Sequence, residues 1–281
     1  MVLLTALWGF QQVVIKLTAA DVSLVMQAGV RSIIATVLVL GWAWRRKTAL
    51  WESDGTFWPG VLAGLLFAGE FVFIYAGLEH TAASRMVVFI YLAPVLTALG
   101  LQLLVPGERL VPGQWSGVLL SFAGVALAFW DGFDTRGTTW LGDLFGVIAA
   151  ALWAATTVLI RATSLARVTA TKALFYQLGV SALLLPLASV AMGEKGIVAL
   201  TPLAIASFVY QGVIVAFASY LAWFWLLTRY LAARLSVFSF LAPMFGVLAG
   251  VAVLGEPLRP LFALAAALVV GGIVLVNLRA R

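Results

Sequence analysis

The chain has 281 residues, of which 64% are apolar and 10% charged, and its mean hydropathy is strongly positive. No soluble domain of this length could bury so much apolar surface, so the composition requires an integral membrane protein. The net charge of +6 does not imply nucleic acid, because the basic residues stand singly between apolar segments, while zero cysteines and one histidine exclude disulfides, thiol catalysis and Cys- or His-rich metal sites.

A membrane-spanning helix needs roughly 20 mostly apolar residues. Ten such spans are predicted, at about 2–19, 22–44, 57–78, 81–104, 112–131, 140–161, 169–192, 201–227, 230–254 and 257–278. The chain opens on Val2–Leu4 without a basic leader or a small-residue cleavage site. Residues 2–19 are therefore expected to be the first span rather than a signal peptide, with a few native residues missing before it. Pro59, Pro112, Pro202 and Pro257 fall near predicted helix starts, where the missing N–H costs little. The longest connections, Arg45–Thr56 and Asp131–Thr139, are polar loops rather than domains. Trp42, Trp44, Trp51, Trp58, Trp115, Trp130 and Trp140 lie near span ends and read as an interfacial belt.

Lysine and arginine set the orientation. With the N-terminus inside, the inner face receives Arg45, Arg46, Lys47, Arg109, Arg161, Arg167, Lys172, Arg229, Arg234, Arg279 and Arg281. The outer face receives only Lys16, Arg85, Arg136, Lys195 and Arg259, so both termini are expected inside.

An internal repeat organises the chain. Ala83–Pro94, ASRMVVFIYLAP, returns as Ala232–Pro243, AARLSVFSFLAP. Leu7–Trp8 and Lys16 likewise match Leu152–Trp153 and Arg161, and Gln27 and Gly29 match Gln177 and Gly179. Spans 1–5 (residues 1–131) thus echo spans 6–10 (residues 140–281) across an outer linker, residues 132–139. Because five is odd, the second copy enters the membrane from the opposite side. The fold class is an all-α polytopic membrane protein with two inverted five-helix repeats, an arrangement used by secondary transporters.

Pro94 and Pro243 break two membrane helices at matching positions, and the freed carbonyls must face protein or water. A matched pair points to a central gate more strongly than a single packing kink would. Arg31 in span 2 and Glu70 in span 3 are charges at broadly similar membrane depth. They require a salt bridge or a shared water-filled cavity. The pair fixes span 2 against span 3, or Glu70 is a proton-coupling carboxylate, or Arg31 is an anion-binding group. Trp8 and Gln12 share one face of span 1, as Trp153 and Thr157 do on span 6. Tyr75, Glu79 and His80 on span 3, Tyr91 on span 4, and Tyr220 and Trp223 on span 8 complete a candidate cavity wall suited to a small amphipathic ligand. Glu108 and Glu256 each precede a helix and are expected to serve its positive end. Small residues at four-residue spacing, Gly113, Gly117 and Ser121 in span 5 and Ala263, Ala267 and Gly271 in span 10, mark these spans as packing or weakly dimerising elements.

Taken together, LWG at Leu7–Gly9 with its twin LWA at Leu152–Ala154, the two LAP segments, GER at Gly107–Arg109 and GEP at Gly255–Pro257 resemble the EamA-type drug/metabolite transporter superfamily. Within it the chain resembles bacterial amino-acid and metabolite exporters, including YddG-type exporters of aromatic and other amino acids. The resemblance covers nearly the whole chain and implies an inner-membrane protein with a cavity between its halves, working by alternating access. It carries no compact substrate signature, and Arg31 with Glu70 is not one of its hallmarks. The expected function is cofactor-free export of amino acids or similar metabolites, with uptake or efflux of lipophilic cations as the alternative. An enzyme is disfavoured, since there is no HExxH motif, no nucleophile–base pair and no intramembrane carboxylate pair. A channel differs from a carrier only in whether both gates open together, which the sequence leaves open.

Overall fold

The computed structural model describes residues 1–133 and 139–278. Arg136, Arg279 and Arg281, which enter the orientation argument, and most of the 132–139 linker lie outside the described residues. Among the described residues the architecture is all-helical, with one isolated bridge between Val22 and Ile197. Seven helical segments are long and apolar enough to cross a membrane: Leu24–Arg46, Phe57–Leu78, Ala83–Leu104, Trp140–Ala162, Ala170–Ala191, Pro202–Leu227 and Ala232–Leu254. Val2–Thr18 and Phe262–Asn277 are apolar but shorter, and Pro112–Ala128 has 17 residues.

Several of these segments are composite. The first helices are α1 (Val2–Thr18), α2 (Leu24–Arg46) and α3 (Phe57–Leu78). Span 4 divides into α4 (Ala83–Ile90) and α5 (Ala93–Leu104), followed by α6 (Pro112–Ala128), α7 (Trp140–Ala162) and α8 (Ala170–Ala191). Span 8 runs as α9 (Pro202–Val209), a π-helical stretch Tyr210–Ser219, and α10 (Tyr220–Leu227). Span 9 comprises α11 (Ala232–Val237), a 3₁₀ turn Phe238–Phe240, α12 (Leu241–Ala249) and a second π stretch Gly250–Leu254; α13 (Phe262–Asn277) ends the bundle.

Helix ends follow local chemistry. Pro112 and Pro202 occupy first helical positions, and the side chains of Thr169 and Thr201 accept from the amides of Lys172 and Ala204. Pro257 does not start a helix as expected, because α13 begins only at Phe262. Pro260 disfavours helical backbone at Arg259, whose guanidinium instead pairs with Asp131 at the end of the first half. Gly107 (φ 92°) and Gly255 (φ 69°) both adopt the left-handed conformation, which explains glycine before each glutamate.

The packing exchanges the two halves. Helix α1 lies on α12 and α7 on α5, while α2 contacts the π stretch of span 8 and α3 contacts α8. Helices α2 and α8 pack on each other, as do α6 and α13. The outer surface is apolar, with Val37, Leu103, Leu183, Leu187 and Val190 exposed, as contact with lipid tails requires. Trp44, Trp51, Trp58, Trp130 and Trp140 stand exposed near helix ends. Two other residues of the expected belt have partners inside the protein. Trp42 packs edge-on against Phe217 and beneath Arg46, and the Trp115 indole donates to Gln102 Oε1 at 2.6 Å.

The α6–α13 contact is backbone-close. A Cβ on Gly272 would stand 2.3 Å from both the Gly117 carbonyl and Ser121 Oγ. Gln114 Nε2 donates to the Val276 carbonyl at 2.8 Å and Ser121 Oγ to that of Val269 at 3.2 Å. The span 5 face matches the expectation at Gly117 and Ser121, but the span 10 face does not. Ala265, Val269 and Gly272 are buried there, whereas Ala263 and Ala267 are exposed, because the contacting face is rotated from the predicted stripe.

Two consequences are measurable. Gly272→Val should lower the unfolding temperature of the detergent-purified protein, at a cost of about 1–3 kcal/mol for overpacking, whereas Gly113→Ala, which meets open space, should leave it unchanged. The second concerns buried Lys172, whose ammonium donates to Asp54 Oδ2 at 2.7 Å. That bond first, and the Thr56 hydroxyl next, hold the Asp54 carboxyl at about 2, below its ordinary 3.8. A depressed folded-state value stabilises the fold above the ordinary value. Wild-type stability should therefore drop as the pH falls from about 4 towards 2, by a step that Asp54→Asn removes.

Candidate substrate cavity

A cavity of about 540 Å³ lies between the two halves. Its wall takes side chains from α1, α2 and α3, from α4 and α5 on either side of their break, and from α7, α8, α10 and α11. Gly9 makes this geometry possible on one side, since a Cβ there would come within 2.5 Å of the Ala242 carbonyl on α12.

The break in span 4 falls at Tyr91–Leu92, with Pro94 in the first turn of α5. The Pro94 ring cannot donate to the Ile90 carbonyl four residues back, so the helix stops and restarts there. In span 9, Pro243 follows the 3₁₀ turn Phe238–Phe240 in the same way. Pro94 faces the cavity, whereas Pro243 itself does not; Ser236, Ser239 and Ala242 supply that wall.

Aromatic rings dominate the interior. Trp8 meets Trp223 edge-on at 5.9 Å and Tyr220 at 6.3 Å. Tyr91 meets Trp153 at 5.9 Å and Phe240 at 6.3 Å. Trp8 Nε1 donates to Ser219 Oγ at 2.9 Å, which orients its ring. Gln12, Tyr75, Trp153 and Thr157 also line the cavity. Glu79 and His80 do not. Helix α3 ends at Leu78, so the face carrying Tyr75 does not continue; His80 instead packs edge-on against Phe145, and its carbonyl accepts from the Thr139 amide.

Several wall residues escaped the sequence reading. Phe67 and Phe71 sit one turn apart on α3 beside Glu70, Gln177 is the repeat partner of buried Gln27, and Ser236 and Ser239 interrupt an apolar run. The one available signal was a polar or aromatic residue at helical spacing next to residues already chosen. The π stretch of span 8 had no such signal. It accompanies a buried amide network in which Gln211 Nε2 donates to Gln27 Oε1 at 2.9 Å and to Ser207 Oγ at 2.8 Å.

Arg31 and Glu70 both line the cavity, 2% and 7% exposed. They share it without forming the salt bridge that was the other expectation, since the five ion pairs among the described residues include neither. The Arg31 guanidinium lies 4.4 Å from the centroid of the Phe71 ring, and its Nη2 has no hydrogen-bond partner.

The two ends of the cavity differ. At one end its lining residues Lys16, Ala19 and Ala83 are exposed. At the other, Thr97, Ile160, Phe224, Ser236 and Ser239 are buried. That end is sealed by Glu108, which is 1% exposed. Its carboxylate accepts from the Ala232 and Ala233 amides at the start of α11, each at 3.1 Å, and from Arg161 Nε at 2.9 Å and Nη2 at 2.6 Å. Arg161 also donates to the Leu227 carbonyl at 3.0 Å. Glu108 was expected to serve the helix that follows it. The left-handed turn at Gly107 sends its side chain to the other half instead, and Gln114 accepts from the Val111 amide at the start of α6. At the open end the side chain of the repeat partner Glu256 meets, among the described residues, Lys16 alone, at 2.9 Å, with both side chains largely exposed. A gap of about 310 Å³ there separates Glu256 from Ala83 and Ser84 at the start of α4.

The chain matches the EamA-like transporter family over residues 1–130 and 140–278. It is 27% identical to a protein of Archaeoglobus fulgidus described as an uncharacterized transporter, over 85% of this chain and 82% of that one. It is 26% identical to the uncharacterized transporter YvbV of Bacillus subtilis, over 99% and 90% of the two chains. One crystal structure superposes with a TM-score of 0.83 at 23% identity, covering 99% of this chain and 95% of the other, which bears on the fold alone. The chain belongs to the EamA-like transporter family: it is a multi-pass membrane transporter, not an enzyme.

Proposed function

We propose that this transporter exports amino acids or similar small amphipathic metabolites across the bacterial inner membrane, by alternating access between two inverted five-helix repeats with both termini in the cytoplasm. The observation that carries the reading is the cavity, which is aromatic-walled, shared by both halves, open at one end and sealed at the other. Its volume falls within the roughly 300–1,000 Å³ of small-molecule sites. The exchanged packing of α1 on α12 and α7 on α5 supports the inverted repeat.

In this orientation the Glu108 end is cytoplasmic and the structure is outward-open. Inverted repeats exchange roles when access alternates. Inward opening then requires Glu108 to release Arg161 and the Ala232 and Ala233 amides. Glu256, with Lys16, closes on the Ala83 and Ser84 amides across the present gap. Charge favours each closed form, since a carboxylate accepting from helix-start amides and a cation makes charge-assisted bonds. No coupling ion is needed for exchange; a high internal concentration would drive export.

Counterflow and labelling test the reading. Liposomes loaded with an unlabelled amino acid should take up its labelled form saturably. Trp153→Ala and Tyr91→Ala should each raise the apparent KM while still inserting into the membrane. Accumulation of a lipophilic cation without amino-acid exchange would reject the export reading in favour of drug efflux. Because the chain has no cysteine, a single Ser236→Cys reports on the seal. Glu108→Gln should speed its labelling by an impermeant maleimide from the cytoplasmic side about tenfold, since hydrogen bonds to charged groups contribute about 1.5–3 kcal/mol. An unchanged labelling rate would mean that Glu108 does not hold the seal.

A further inference from the structure

We propose that Arg31 and Glu70 form a two-pole head-group site that selects zwitterionic α-amino acids, with the carboxylate at Arg31, the ammonium at Glu70 and the side chain against the aromatic wall. This rests on the amphipathic-metabolite reading above and specifies its substrate.

Three other cations in the protein's interior or half-buried parts pair with carboxylates. Arg161 pairs with Glu108, Arg85 binds Asp143 through both oxygens at 2.6 and 2.5 Å, and Lys172 pairs with Asp54. Arg31 and Glu70 sit on packed neighbours, α2 and α3, in one cavity, and yet do not pair. Phe71 holds the guanidinium over its ring instead, leaving Nη2 buried without an acceptor. Two ionisable groups without a partner inside a membrane protein are costly to charge. A ligand that supplies one anion and one cation on adjacent carbons satisfies both at once. A simple amine would leave Arg31 without a partner, and a simple carboxylate would leave Glu70 without one.

The second half has no such poles. Ser219 stands at the repeat position of Glu70, where its Oγ accepts from Trp8 and donates to the Val215 carbonyl. Ser181 stands at that of Arg31, with its Oγ buried and unpartnered. The head group therefore docks on spans 2 and 3 alone and stays with that half when access alternates. The side chain projects towards the rings of both halves, where shape rather than charge decides what fits.

The test uses the full-length protein and three ligands with one apolar body: phenylalanine, 2-phenylethylamine and 3-phenylpropionate. Isothermal titration should give each single-pole ligand a Kd at least about tenfold weaker than phenylalanine, because a site built for a polar group rejects an analogue lacking it. In Glu70→Gln the gap between phenylalanine and 3-phenylpropionate should close. In Arg31→Gln the gap to 2-phenylethylamine should close. If Arg31→Gln does not fold, the wild-type ladder and Glu70→Gln still decide. Amino-acid counterflow accompanied by affinities within about threefold of one another for all three ligands would overturn the two-pole site and leave the export reading standing. An unaltered ladder in Glu70→Gln, or tightest binding of the amine alone, would also overturn it. No binding and no amino-acid counterflow would remove both.

Discussion

A helix interrupted inside a bilayer leaves amides and carbonyls that lipid cannot satisfy. Two such interruptions, before Pro94 in span 4 and around Phe238–Phe240 in span 9, force both helices away from lipid and onto a shared interior. The rest of the molecule accommodates that demand. Helices α1 and α7 cover α12 and α5 on either side of the cavity. The start of α11 is closed over by a carboxylate from the opposite half, at Glu108. A polar break that lipid would reject thus borders the aromatic cavity.

The same demand governs where charge is placed. Lys16, Arg85, Arg161 and Arg259 find carboxylates near helix ends, where pairing links one half to the other. Their positions differ in strength as well as in place. The Glu108–Arg161 pair is buried and backed by backbone amides, whereas Lys16–Glu256 is exposed and brings no helix start with it. Repeat-related segments, GERLVP and GEPLRP, thus hold one end shut and leave the other open. Screening by water weakens the exposed pair, while burial preserves the other.

Away from the cavity, helices α6 and α13 show the opposite design. Glycine at 117 and 272 brings their backbones into contact, and Gln114 and Ser121 bond directly across to the α13 backbone. With no hydrophobic drive between helices in lipid, such contact and hydrogen bonding are what hold them. This joint ties the ends of the two halves together.

Length and hydropathy alone marked out the helices, because crossing a bilayer calls for roughly 20 mostly apolar residues. Helix boundaries accordingly fall within a few residues of those predicted, except at Pro257–Leu261, where a second proline delays α13. The doubled LAP motif located the breaks, and helical spacing placed Trp8, Gln12, Tyr75, Tyr91, Trp153, Thr157, Tyr220 and Trp223 where they line one cavity. Spacing fails beyond a helix end, so Glu79 and His80 fall outside it. Only the tertiary structure decided that Arg31 and Glu70 stay apart, that Glu108 reaches the far half, and that span 8 widens into a π stretch. Each depends on which helices become neighbours. A linear sequence encodes the period of one helix, but not the rotation at which two helices meet.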